Sequence, residues 1–358
     1  MGLRQWCGVC AVGALGVLLV SCSTPSGAGA ESPAEVVAWP GHPGELTDWG
    51  KGDGYVYGVL PAQGSDGQVL VLWRWSEGTM RKSLAVTLPH SRLIRPISNE
   101  LCGLAVSHEG ALLELPCYES RDMTTNRVVA KWDAPKGWGF VASGASTNRR
   151  WVAVLAREGP GAPQHNWDHP PVKIGLIDAV SEEMRWVGSL QGHGAGTIRE
   201  VAVTEDGRYV AVAGWNNGTA MIDVAGERVL WAQRPEHEIS TGYAAFAADG
   251  KSVYTAGSEG CVYTLDVTTG SVLGQRWATA TGESIYPHRV SSLALSRDGK
   301  WLAVGTVPEG EVYVWNLEQG GVARVLMHRD GPVVDISFSP DSQCIATVGG
   351  GFLKTWKL

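Results

Sequence analysis

The feature that most constrains this chain is a short phrase that returns seven times. An apolar run, a turn built on Asp-Gly or a near equivalent, and a second apolar run recur from residue 53 to the end. The clearest copy is Ile198–Thr204, then Glu205-Asp206-Gly207-Arg208, then Tyr209–Ala213. Others stand at Asp249-Gly250-Lys251, Asp298-Gly299-Lys300 and Asp341-Ser342-Gln343, with weaker copies at Asp53-Gly54, Asn99-Glu100 and Asn148-Arg149. The anchors 53, 99, 148, 206, 249, 298 and 341 step by 46, 49, 58, 43, 49 and 43 residues. Asp-Gly between β-branched or aromatic runs is a hairpin signal. A second turn follows in each unit, as at Asp66-Gly67, Glu109-Gly110, Asn217-Gly218, Glu259-Gly260, Glu309-Gly310 and Gly349-Gly350. A third follows the next strand, as at Thr269-Gly270 and Gln319-Gly320. Each unit therefore holds four strands, a to d.

Strand c ends on a recurring pair. It closes Val312-Tyr313-Val314-Trp315-Asn316 in one unit and Leu353-Lys354-Thr355-Trp356-Lys357 in the last. Leu265-Asp266, Ile222-Asp223 and Ile177-Asp178 take that place elsewhere, and Gly41-His42 and Gly192-His193 precede strand a. A period of roughly 40–50 residues with four short strands marks a propeller blade. In these pairs the units resemble WD repeats, over residues 35–358 and most closely from residue 185 onward. The resemblance implies an all-β fold, a seven-bladed β-propeller with four-stranded antiparallel blades. The last unit stops after strand c at Leu358, while an orphan strand, Glu35–Trp39, precedes the first. That strand is expected to complete the last blade and remove an open sheet edge.

The first residues read as an address. Arg4 supplies a positive start, and Val9–Val20 is apolar but short of the about 20 residues a membrane span needs. The stretch ends Leu19-Val20-Ser21-Cys22, which resembles the bacterial lipobox. The resemblance implies a signal peptide over 1–21, cleavage before Cys22, and acylation of Cys22 by palmitate-type chains. Residues 22–34, rich in Ser, Gly, Ala and Pro, then form an acylated flexible tether to the propeller domain 35–358. The expected location is the bacterial cell envelope: the outer membrane of a Gram-negative host, otherwise the outer face of the plasma membrane.

Composition narrows the partners. With 44% hydrophobic and 18% charged residues the chain is a folding one. Its net charge is −7, with no run of five like charges, and loss of Arg4 with the signal makes it −8. Binding to phosphate by counterion release needs clustered Lys and Arg. Nucleic acid is therefore excluded as a partner, and the membrane is met through the anchor only.

In such a blade the d–a and b–c connections share one end, the top, and the a–b and c–d turns the other. His42, His90, His193, His237, His288 and His328 fall in d–a connections. The resemblance gives such histidines a structural role, bonded toward an acidic b–c residue, a Ser or Thr and the strand-c Trp. His288, Glu309 and Trp315 hold part of that pattern. One segment departs from the repeat. Gly159–Pro171 is inserted between strands b and c of the third unit, which accounts for the step of 58. Insertions at loop tips are tolerated because loop entropy grows slowly with length. This one carries His165, Trp167, Asp168 and His169, and its neighbours on the top are Trp215, Tyr286 and His288. Aromatic rings beside adaptable polar groups suit protein, peptide or glycan contact.

Catalysis has little support. There is no Gly-x-Ser-x-Gly elbow. His165, Asp168 and His169 offer an acid–base pair, but a Pro-rich loop tip preorganises one poorly. No catalytic residue, cofactor or metal is expected. The expected function is a non-catalytic, envelope-anchored platform for protein or peptide partners on the top face. A glycan-binding propeller and a lyase- or hydrolase-type propeller enzyme with a top-face site are the alternatives. Cys102 and Cys117 flank Glu109-Gly110 at equal distances, so a two-residue hairpin would set them opposite each other as a candidate disulfide. They would then form a hydrogen-bonded pair, whose side chains aim less well at one another.

Overall fold

The computed structural model describes most residues from Cys117 to Leu358 with their side chains, and before Cys117 the backbone of the strands alone. Residues 1–34, 39–54, 107–116, 159–170, 191–196, 234–240 and 279–288 lie outside the described residues.

Every regular element among the described residues is a strand. β1 (Glu35–Ala38) precedes a sheet of β2 (Tyr55–Pro61), β3 (Gln68–Ser76) and β4 (Thr79–Leu88). Next come β5 (Ser91–Pro96), β6 (Leu101–Val106), β7 (Cys117–Asp122) and β8 (Val128–Asp133). The third sheet is β9 (Trp138–Ala145), β10 (Trp151–Glu158), β11 (Val172–Asp178) and β12 (Met184–Leu190). The fourth is β13 (Thr197–Val203), β14 (Tyr209–Trp215), β15 (Gly218–Asp223) and β16 (Arg228–Gln233). The fifth is β17 (Thr241–Phe246), β18 (Ser252–Gly257), β19 (Cys261–Asp266) and β20 (Val272–Trp277). The sixth is β21 (Arg289–Leu295), β22 (Trp301–Val307), β23 (Glu311–Asn316) and β24 (Gly321–Met327). The last joins β25 (Val333–Phe338), β26 (Cys344–Gly349) and β27 (Phe352–Lys357), with β1 lying antiparallel beside β27, Glu35 opposite Thr355 and Ala38 opposite Phe352.

The near-continuous apolar runs have a simple cause. Successive strand residues point to opposite faces, and the sheets stand face to face. On β10, Val152, Val154 and Ala156 pack toward Tyr118 and Trp132 of the preceding sheet. Ala153 and Leu155 pack toward Val201, Val203 and Val212 of the next. Tyr263 and Leu265 on β19, and Val312 and Val314 on β23, meet neighbouring sheets in the same way. The core is thus a series of dry layers between sheets, and the inner strands β5, β9, β13, β17, β21 and β25 neighbour one another in turn. Approach is close: a Cβ on Gly144 in β9 would stand 1.7 Å from the Val201 carbonyl oxygen in β13.

The repeated Asp-Gly phrase is a hydrogen-bond circuit. Thr204 Oγ1 donates to Asp206 Oδ1 at 2.7 Å and accepts the Tyr209 N–H at 3.0 Å. Asp206 Oδ1 also accepts the Arg208 N–H at 3.0 Å, and the Gly207 N–H closes on the Thr204 carbonyl at 2.9 Å. Gly207 has φ +70°, a left-handed conformation that glycine adopts without steric cost. The same circuit joins Ser146, Asn148 and Trp151, then Ser296, Asp298 and Trp301, then Ser339, Asp341 and Cys344. The c–d turns have their own rule. Asp178, Asp223, Asp266 and Asn316, each closing strand c, accept backbone N–H groups of the turn that follows. This explains why an acid or amide follows the apolar residue there.

Register corrects one expectation. β6 ends at Val106 and β7 begins at Cys117, so no two-residue hairpin joins them. Cys117 pairs with Val106, and Cys102 with Arg121. The two cysteines lie four rungs apart, about 13 Å along the ladder at ~3.4 Å per residue, beyond the about 7 Å that a disulfide spans between Cα atoms. Cys117 is a buried thiol whose Sγ lies 3.9 Å from Glu119 Oε1. Burial, and then the Glu119 carboxylate, push its pKa up, so it is not poised as a thiolate.

Candidate functional site

Antiparallel pairing sorts the connections into two ends. On one end lie the a–b and c–d turns; on the other, the top, lie the b–c and d–a connections. Among the described residues the turn end carries a repeated set of polar links. Neighbouring sheets are stitched there: Asn148 Nδ2 donates to the Glu205 carbonyl at 2.8 Å. Trp132 Nε1 reaches from β8 to the Glu182 carbonyl at 2.9 Å, and Trp231 Nε1 from β16 to the Val267 carbonyl at 2.8 Å. Arg324 of β24 donates to the Lys357 carbonyl at 3.2 Å. In the last three an outer strand holds the c–d end of the next sheet.

A groove of about 610 Å³ opens between the a–b turns of the fourth to sixth sheets, lined by Asp206, Arg208, Asp249, Lys251, Asp266 and Arg297 among others. Its acids are engaged in the turns. Asp206 and Asp249 accept backbone N–H groups, and Asp266 Oδ1 accepts from Thr268 and Thr269. Partial burial pushes the Asp206 carboxyl up. The Thr204 hydroxyl and the Arg208 N–H outweigh that and hold it below the usual carboxylate range. At Asp266 the Thr268 hydroxyl and the Thr269 N–H and hydroxyl do the same. Neither histidine nor cysteine lines this groove. The turn end is therefore built to hold shape, with the Asp206, Asp249 and Asp266 carboxylates bonded to the backbone of their turns.

Of the residues picked out from sequence for the top, the structure describes the backbone of one. Trp215 closes β14, its backbone opposite Thr197. His165, Trp167, Asp168 and His169 lie outside the described residues, but the strands flanking their insertion end at Glu158 and start at Val172, both at the top end of the third sheet. Tyr286 and His288 also lie outside, directly before Arg289 opens β21 at its top end. Cys22 lies outside as well. His165 and His169 stand four apart, a spacing that stacks two imidazoles on a helix.

Two residues at the foot of the insertion escaped the sequence reading. Lys173 Nζ sits 4.5 Å from the ring centroid of Trp138, a cation–π contact between the top ends of β11 and β9. Glu158 pairs with Trp138, and Arg157 with Val172, beside it. Burial pushes the Arg157 guanidinium pKa down. The signal was there in Pro135-Lys136-Gly137 followed by Trp138, an aromatic opening strand a straight after a d–a turn. Part of the histidine network implied by the resemblance is also present: Trp356 Nε1 donates to Thr347 Oγ1 at 2.9 Å, in the sheet that follows the fully buried His328.

Comparison with known proteins agrees with this architecture. The WD domain, G-beta repeat, is found at residues 184–222, 281–316 and 322–357. The first and last matches join the outer strand of one sheet to the three inner strands of the next, and the match at 281–316 covers β21, β22 and β23. An uncharacterized WD repeat-containing protein of Synechocystis, sll1491, is 28% identical over 189 residues, 52% of this chain and 51% of that protein. The human WD repeat domain-containing protein 83 is 25% identical over 112 residues, 31% of this chain and 34% of that protein. The chain thus spans about half or less of the length of these relatives. A chain in the crystal structure of a mitotic checkpoint complex superposes over 97% of this chain and 98% of its own, with a TM-score of 0.67 at 17% identity. That likeness concerns the fold alone. The fold is all-β and WD40 propeller-like, with six four-stranded antiparallel sheets and one of three strands among the described residues, and WD40 repeats are found in the three segments named above.

Proposed function

We propose that this protein is a non-catalytic binding platform anchored in the bacterial cell envelope, taking protein or peptide partners on its top end. In this reading the sheets form seven blades around an axis, and β1 closes the ring as the outer strand of the last blade. Residues 1–21 direct export, Cys22 carries the lipid, and 22–34 tether the domain. His165, Trp167, Asp168, His169, Trp215, Tyr286 and His288 form the contact surface.

The observation that carries the reading is the contrast between the ends. At the turn end, hydroxyls, carboxylates and indoles are consumed in a repeated backbone circuit and in links between sheets. The top holds the chain's longest departure from the repeat, with its aromatic and imidazole groups. WD40 propellers are generally protein-interaction scaffolds, which supports a protein partner. The test is affinity purification of the acylated protein from its own membranes, beside a Trp167→Ala, Trp215→Ala, Tyr286→Ala variant. The expected result is a defined partner captured by the parent and lost by the folded variant. The same proteins captured by both would refute the top-end surface.

A further inference from the structure

The large apolar side chains that stay exposed are not scattered. Among the described residues they are Val128 and Val129, which open β8, and Val229, second in β16. Val272 and Leu273 open β20, Val322 is second in β24, and Val180 lies in the turn between β11 and β12. Leu273 is 60% and Val180 78% exposed. Each of these strands is the outer one of its sheet and begins just after the c–d turn. All seven of these side chains therefore lie at the turn end, on its outer rim, while most of the top-end connections lie outside the described residues.

The N-terminal chain enters at the same place. β1 runs antiparallel to β27, so it has the outer position and direction of β8, β16, β20 and β24. Its first residue, Glu35, is therefore at the turn end. Twelve residues separate Cys22 from Glu35. At ~3.3–3.6 Å per residue they reach about 40 Å at full stretch, and as a flexible Gly/Ser-rich chain about 20 Å on average. A six-residue strand is about 20 Å long, no more than the tether's average reach, so a lipid held at Cys22 favours the turn end, where the tether joins, as the end nearer the bilayer.

We infer that the turn end faces the membrane, its apolar outer rim against the lipid interface and its top directed away. This rests on acylation of Cys22. Single exposed apolar residues on a protein surface need no explanation, but here one or two stand at the start of the outer strand, or in the turn before it, on each of five sheets, and together they give the turn end an apolar outer rim. The strand order explains why this surface and the anchor coincide. The inference also gives the top-end contact surface its accessibility, because the membrane would not cover it.

The test uses the full, acylated chain reconstituted in vesicles of phosphatidylethanolamine and phosphatidylglycerol that carry an acceptor dye on the lipid. Single donor dyes are placed at Val180→Cys, Val272→Cys or Lys136→Cys, the last in the d–a turn between β8 and β9, in a Cys102→Ser background. Cys117, Cys261 and Cys344 are buried and are not labelled in the folded protein. Energy transfer at 180 and 272 should exceed that at 136 at least twofold. Equal transfer, or the reverse order, overturns the orientation while leaving the platform reading standing. Palmitate incorporation that fails, or that survives Cys22→Ser, overturns the anchor and the orientation with it.

Discussion

The turn at Thr204–Tyr209 and the turn at Ser146–Trp151 trace the same circuit with different residues. One uses Thr, Asp, Gly and Tyr; the other Ser, Asn, Arg and Trp. At the left-handed position, Gly207 (φ +70°) is replaced by Arg149 (φ +59°), and in the last sheet by Ser342 (φ +58°). A non-glycine residue costs about 1–2 kcal/mol there, and the fold sustains it twice. The first turn lies within a WD40 match and the second does not, yet both close the same hairpin. What repeats is a set of polar atoms at fixed places, and several residue types can supply them.

The sharpest way to break the comparison is to change what the two sheets share. Gly144→Ala puts a methyl 1.7 Å from the Val201 carbonyl, backbone against backbone, between the sheets that hold the two turns. Neither strand can yield by a rotamer change, so denaturant unfolding should show a loss of about 3 kcal/mol. Gly274→Ala, in open space on an outer strand, is the control and should change stability by less than about 0.5 kcal/mol.

A smaller effect separates left-handed strain from crowding. Gly207→Ala meets both, because the new Cβ would lie 2.5 Å from the Trp151 ring, and should cost about 2–3 kcal/mol. Gly250 has φ +64° in the same place of the next turn, with its nearest neighbour at 4.0 Å. Gly250→Ala should cost only the strain, about 1 kcal/mol. Equal losses at the two sites would mean that the Trp151 contact contributes nothing.

The circuit can also be taken apart and completed. Thr204→Val removes a buried hydroxyl from Asp206 and from the Tyr209 N–H and should cost about 1–1.5 kcal/mol. The fifth sheet lacks that hydroxyl, having Ala247 where the third, fourth, sixth and last sheets have Ser or Thr, while Asp249 still accepts the Lys251 N–H at 2.9 Å. Ala247→Ser should therefore stabilise, by about 0.5 kcal/mol. Thermal melts of both variants check the pair, and destabilisation by Ala247→Ser would show that the circuit is incidental to this turn.

The smallest effect is on acid stability. The Asp206 carboxyl is held below its ordinary value in the fold. The ionised form is thus favoured by folding, and this contribution is present above about pH 4, the unfolded value. It is lost as pH falls through the lower folded value. The gap in unfolding free energy between parent and Asp206→Asn should be widest near pH 6–7 and close below pH 4. A gap constant with pH would contradict the assignment.

These turns also show what could be read from the sequence and what could not. Asp206, Asp249, Asp298 and Asp341 were legible because a turn circuit demands a few residue types at fixed spacing, and the acid that closes strand c was legible for the same reason. The Cys102–Cys117 register was not. Glu109-Gly110 has the composition of a two-residue turn, but β6 and β7 end and begin well away from it, and turn composition does not set loop length. Nothing in the repeat singles out Trp132 and Trp231. Their indole N–H bonds to the next sheet's c–d turn depend on contacts between sheets, which a one-dimensional repeat does not display. The Trp138–Lys173 contact joins strands separated by the insertion and is hidden for the same reason.

The most direct test of the platform compares the two ends in one experiment. A photo-crosslinking amino acid is placed at Trp215 or Tyr286 on the top, or at Arg208 or Lys251 in the turn-end groove, in the acylated protein in its own membranes. Irradiation should give a discrete protein adduct from Trp215 and Tyr286 and none from Arg208 or Lys251. An adduct from the groove positions alone, or from none of the four, would contradict a binding platform that works through its top end.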